Sequence, residues 1–116
     1  MKTPIFVFDG YAVDIFNSIF DLESKIEIID IKEKNFEFFD SQGNLLKFEI
    51  IQEPYKWLGF FNIHRDKIKF VSSYPDKEQF IEKIKNVYYQ TFQKYSNDLS
   101  LYDMEQQLIS FYGFST

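Results

Sequence analysis

Read for the spacing of its apolar positions, the chain opens with a strand and closes with helices. Ile5-Phe6-Val7-Phe8 is an uninterrupted apolar run ended by Asp9-Gly10, the pattern of a short buried strand followed by a turn. Beyond it, Ala12, Ile15, Phe16, Ile19 and Phe20 recur at i, i+3, i+4, i+7 and i+8, the stripe of an amphipathic helix with Asp9 placed to cap it. A hairpin turning at Asp9-Gly10, with Tyr11 to Phe16 as the return strand, competes with that reading. Five matches to the helical template favour the helix for residues 11–24. From Ile26 the period shortens: Ile26-Glu27-Ile28 and Asp30-Ile31-Lys32 alternate around a break at Ile28-Ile29 that suits a bulge. Phe36-Glu37-Phe38 runs into the turn-rich Asp40-Ser41-Gln42-Gly43-Asn44, and Leu46-Lys47-Phe48-Glu49-Ile50 alternates on the way back. Pro54 closes that hairpin. Trp57 to His64 and Ile68 to Val71 read as a second one, turning near Arg65-Asp66-Lys67.

The last third is helical in period. Pro75-Asp76 precedes a stripe of Phe80, Ile84, Val87, Tyr88, Phe92 and Tyr95, with Asp76 and Gln79 spaced as a capping box. Asn97-Asp98 breaks the run. Ser100 and Asp103 then start a final helix whose face is Leu101, Met104, Leu108 and Phe111/Tyr112, ending at Gly113. The predicted architecture is α+β and a single domain, 1–116. It has an N-terminal strand and helix, an antiparallel meander of about four strands, and two C-terminal helices packed on one face.

Composition adds a dense aromatic core. Phe, Tyr and Trp make up 21% of the 116 residues, and each large ring buries roughly 150–250 Å². Phe36, Phe38, Phe48, Phe80 and Phe92 fit core positions, whereas Phe39 falls on the polar face beside Glu37. The absence of cysteine excludes disulfides and thiolate chemistry and suits a reducing cytosol. The N-terminal apolar run is interrupted at Asp9 before a signal-peptide core forms, and no stretch approaches the roughly 20 apolar residues of a membrane span. A cytoplasmic location is the expectation.

Charge changes the picture further. Residues 1–54 carry 11 acidic against 5 basic side chains, residues 55–85 carry 7 basic against 4 acidic, and the whole chain sums to −5. Such an asymmetry steers an oppositely charged partner and repels nucleic acid.

Catalytic candidates are few. His64 is the single histidine, and its neighbours Asn62, Arg65 and Asp66 have no catalytic spacing. Asp9 with Asp14, and Asp21 with Glu23, are candidate carboxylate ligands for a divalent cation, but no calcium-loop pattern surrounds them. The four glycines are too scattered to cradle a phosphate. The richer cluster is Glu27, Asp30, Glu33, Glu37, Asp40 and Glu49 on adjacent predicted strands, where Glu27, Glu37 and Glu49 should point away from the apolar face. It reads as a solvated sheet face or as an acidic docking patch. Tyr55 and Trp57, flanking a lysine just after a proline at the sheet edge, are the candidate interface anchors. The basic residues Lys56, Arg65, Lys67 and Lys69 form too small a patch for nucleic acid in a chain of pI about 4.8.

The stretch from about Phe20 to Ile50 carries a resemblance. Leu22-Glu23, Glu27-Ile28-Ile29-Asp30-Ile31 and Phe38-Phe39-Asp40-Ser41-Gln42-Gly43-Asn44-Leu45-Leu46 look like part of a pattern of small bacterial proteins. In overall character the chain is similar to the immunity proteins of polymorphic-toxin and contact-dependent inhibition systems. The resemblance implies a cytosolic, acidic, non-enzymatic protein that blocks a cognate toxin domain, commonly a basic one, and no functional residue is carried over from it. The expectation is therefore an inhibitor with a protein partner and no cofactor, metal, nucleic acid or membrane. Glu27, Asp30, Glu33, Glu37, Asp40 and Glu49 would steer, and Tyr55 and Trp57 would anchor. The alternative is a small-ligand or scaffold domain with an aromatic-lined pocket. A metal-dependent hydrolase using Asp9 and Asp14 ranks third.

Overall fold

In the computed structural model, residues 2–26, 28–57, 59–94 and 98–115 are described, with 28–29, 55–57 and 61–64 followed by their backbone alone. The α+β class holds, with five antiparallel strands in one sheet and two C-terminal helices. In chain order the strands are β1 (Ile5–Asp9), β2 (Ala12–Phe16), β3 (Glu37–Phe39), β4 (Asn44–Trp57) and β5 (Phe61–Pro75). The helices are α1 (Ile19–Lys25), α2 (Ile28–Glu33), α3 (Lys77–Phe92) and α4 (Leu101–Tyr112). Across the sheet the order is β2-β1-β3-β4-β5.

β1 is apolar at four successive positions because it is covered on both sides. Phe6 and Phe8 join Val13, Ile15 and Phe39 beneath Phe80, Ile84, Val87 and Tyr88 of α3 and Met104 and Leu108 of α4. Ile5 and Val7 point to the opposite face, where they meet Phe16, Phe38, Leu46, Ile68 and Leu22 of α1. The helices thus form two layers rather than one: α3 and α4 cover one face, while α1 and α2 lie on the other.

Three local expectations are corrected. Residues 12–16 form a strand, paired Phe8↔Val13, Val7↔Asp14 and Ile5↔Phe16, with Gly10 in the turn at φ 61°. The helical stripe misleads because its outer members, Ala12 and Phe20, are both exposed, while the buried Val13 and Ile15 obey the period of two. The helix instead starts at Ile19, capped by Ser18, whose side chain accepts from the Asp21 amide at 3.1 Å, so Asp9 caps nothing. Second, the isoleucine-rich stretch expected as a bulged strand turns into α2, with Ile31 packed on the core. β-branched content suggests a strand, but burial against the sheet decides the outcome. Glu27, within that stretch, lies outside the described residues, as do Tyr95 and Asn97 of the C-terminal reading.

Third, β4 runs through Pro54 to Trp57 and β5 is continuous from Phe61, with Gly59 at φ 81° between them. The turn is not at Arg65-Asp66-Lys67; Arg65 pairs with Glu53 and Pro54 with His64. β3 borders only the start of β4, at Leu45 and Leu46, so among the described residues Pro54 sits where one side of its strand has no paired strand and a missing N–H is tolerated. The Val71 step is the extra residue of a bulge between Lys47↔Ser72 and Phe48↔Phe70.

The C-terminal helices follow the sequence closely. Ser100 caps α4 by accepting from the Asp103 amide at 3.1 Å, and Gly113 ends it at φ 71°. Asp76 is the N-cap of α3 but makes no side-chain cap bond; Gln79 reaches across to Glu37 instead, at 2.7 Å.

Candidate partner-binding groove

The corrected hairpin places two carboxylates where the helical reading would have scattered them. Val7 faces α1 and α2, and alternation carries Asp9 of the same strand to that face. The register Val7↔Asp14 and Asp9↔Ala12 brings Asp14 and Ala12 there as well. These residues border a surface groove of about 380 Å³. Its floor is Val7 and Phe16, Phe36 flanks it, and Asp30 and Lys34 overhang it from the α2 side. The end of α1 contributes Lys25 and Ile26, and Ser115 closes it from the C-terminal tail. The tail is held there by two bonds: the Ser115 amide donates to the Ile15 carbonyl at 2.7 Å, and Lys25 Nζ donates to the Ser115 carbonyl at 3.4 Å.

The charges in the groove are unevenly satisfied. Lys34 lies 3.8 Å from Asp30, and Lys25 lies 3.8 Å from Asp21. Both cations are thus engaged with carboxylates four residues away on the chain. Asp9 and Asp14 are exposed and, among the described residues, their side chains have no hydrogen bond or ion pair. An apolar floor beneath unpaired carboxylates suits the head of a lysine or arginine side chain, whose methylenes take the floor while its charge takes the rim. No set of three or more His, Asp or Glu that could hold a metal ion occurs among the described residues.

The expected acidic face is assembled only in part. Asp30 joins the groove, and Glu33 is exposed on the same helix. Glu37 and Glu49 lie on the opposite face of the sheet. Glu37 is bound there by Lys83 of α3 at 2.6 Å and by Gln79, and Glu49 stands across from Lys69. Asp40 is a correction: it is fully buried and cannot present charge to a partner. Its carboxylate accepts from the amides of Gln42 and Asn44 and from Asn44 Nδ2, each at 2.9 Å, so it builds the β3–β4 turn. Phe39, expected on a polar face, is fully buried under α3; Glu37 marks the rim of that packed face, not a solvated one. Tyr55 and Trp57 lie near the end of the β4–β5 hairpin, paired with Ile63 and Phe61 along the backbone. The basic patch is also interrupted, since Arg65 and Lys67 stand 3.4 and 3.7 Å from Glu53.

Asp9 and Asp14 carry a usable signal in the sequence. Val7/Asp9 and Ala12/Asp14 share a period of two across a glycine turn, which the hairpin reading makes a single face. Comparison with protein-family models, curated proteins and solved structures gives no match. No helix among the described residues is long and apolar enough to cross a membrane.

Proposed function

We propose that this chain is a non-enzymatic, immunity-type inhibitor that binds and blocks a cognate basic toxin domain, acting in the cytoplasm. The carrying observation is the pair Asp9 and Asp14, exposed and, among the described residues, unpaired over an apolar floor, while Lys25 and Lys34 in the same groove are engaged with Asp21, Ser115 and Asp30. A lysine or arginine of the toxin enters the groove, and the acid-rich first half of the chain steers the encounter. Steered association of this kind runs at roughly 10⁸ M⁻¹s⁻¹ or above at low salt.

The test begins with co-purification from the native host at low and high salt, followed by binding measurements on the partner recovered. A stoichiometric basic partner is expected, weakened by salt, inhibited by this protein, and lost on Asp9→Lys with Asp14→Lys. Undiminished affinity and unchanged salt dependence in that double variant would sink the groove assignment. The small-ligand reading draws on one observation, a groove volume within the range of ligand sites. Small apolar or aromatic compounds that raise the melting temperature, with no protein partner recovered, would favour it.

A further inference from the structure

Among the described residues, Glu105 Oε1 is the one buried side-chain polar atom with no hydrogen-bond partner. Glu105 is 6% exposed and lies on the inner side of α4 beside Met104, which is in the core. It lines a cavity of about 70 Å³ with Lys2, Thr3 and Pro4 of the segment entering β1, Ser41 of the β3–β4 turn, and Tyr102 of its own helix. No donor of the surrounding wall bonds that oxygen, the Thr3 and Tyr102 hydroxyls, the Gln106 amide and the Lys2 ammonium included. Pro4 has no N–H, and the Ser41 hydroxyl and amide are already turned to the carbonyls of Lys2 and Thr3 at 3.0–3.1 Å. A buried acceptor left in this state costs the free energy of its lost hydration, and the cost is far larger for an ionised carboxylate than for a neutral acid.

We propose that Glu105 makes the seating of α4 against the entry to β1 proton-dependent: tight while its carboxyl is neutral, loosened when it ionises. The charged and titratable groups facing it are Lys2 ahead of β1, Lys77 at the start of α3, and Tyr102 on α4. Desolvation prevails over the attraction of the two ammonium groups, and it pushes the carboxyl up from 4.5 to about 7. The sign follows from linkage. The seated state holds its proton up to about 7, whereas a hydrated carboxyl releases it near 4.5. The added hold on α4 is therefore complete below about 4.5, declines as pH rises, and is gone above about 7. The difference between those two values caps the change in the opening equilibrium at roughly 300-fold. Water entering the cavity beside the ionised group reduces it, to roughly 10- to 100-fold.

The experiment is amide hydrogen exchange on the intact protein between pH 5.5 and 8.5, corrected for intrinsic exchange. The unaltered chain is compared with Glu105→Gln, which keeps the shape and cannot ionise. Because the hydrated carboxyl is already mostly ionised at pH 5.5, opening of the α4 amides is expected to rise roughly 2- to 10-fold across that range in the unaltered protein and to stay level in the variant. Parallel profiles in the two proteins would overturn the proposal. Carboxyl ¹³C NMR of Glu105 in the unaltered chain supplies a second measurement, independent of whether the variant folds. An inflection close to neutrality supports the proton-dependent seat, and one near the ordinary carboxylate value refutes it.

Discussion

The two faces of the sheet are closed by helices of very different length. α3 and α4 have 16 and 12 residues, α1 and α2 only 7 and 6. At 1.5 Å per residue the first pair span about 24 and 18 Å and the second about 10 and 9 Å. Under the long pair, Phe6, Phe8, Phe39 and Phe80 meet ring to ring with centroids 5.4–6.3 Å apart. Beneath the short pair, Leu22 and Ile31 reach the sheet, but the groove over Val7 and Phe16 stays open. The contrast teaches how this chain divides its labour: one face is sealed and holds the fold, while the incompletely covered one leaves the exposed carboxylates Asp9 and Asp14 over an open apolar floor.

Substitutions that sharpen the contrast differ in size. Phe80→Ala removes a fully buried ring in contact with three others and is expected to cost about 3–5 kcal/mol in urea unfolding. A loss below about 1 kcal/mol would mean that the sealed face is not the principal core. Asp40→Ala removes a buried carboxylate and the three hydrogen bonds it accepts in the β3–β4 turn and is expected to cost about 2–4 kcal/mol. An unchanged midpoint there would show that water replaces the carboxylate at no cost.

The same contrast explains what the sequence can and cannot reveal. α3 and α4 are legible because each buries one stripe, Phe80, Ile84, Val87 and Tyr88 on the first and Met104 and Leu108 on the second, on helices long enough for the 3.6 period to stand out from chance. α1 and α2 are only about two turns each, and over so short a span the periods of strand and helix overlap. The isoleucines at 26–31 therefore resemble a strand. Asp40 misleads for another reason: a carboxylate in a turn-rich segment has the same composition whether it faces water or bonds its own backbone. Only Gly43 hints at the second case. Its φ is +83°, and a Cβ there would stand 3.0 Å from the Lys77 Cα, which fixes the turn tightly against the start of α3.

Glu37 tests the rim of the sealed face. Its carboxylate joins Lys83 at 2.6 Å and Gln79 at 2.7 Å, and Lys83 Nζ also lies 6.0 Å from the centre of the Phe8 ring. Lys83→Met keeps the aliphatic stem and removes the charge. The expected loss is about 1 kcal/mol, smaller in high salt, because the pair is only partly shielded from water. Chemical denaturation of both proteins with and without added NaCl checks it, and a salt-independent difference would assign the loss to packing rather than to charge.

The smallest expected effect on stability belongs to the groove. Asp9→Asn with Asp14→Asn removes two exposed carboxylates that have no partner to lose, so urea unfolding should shift by no more than about 0.5 kcal/mol in either direction. Their removal also lowers the negative charge around Asp30, so any change should be towards greater stability at low salt. A loss above about 1 kcal/mol would show that the two residues serve the fold and that the open face is held by charge as the sealed face is held by rings. Near-neutral stability combined with weakened binding of the partner would place binding in the groove and separate it from folding. A carboxylate dispensable to the fold, yet set on a strand that both helix layers hold in place, is free to meet a charge supplied by another molecule.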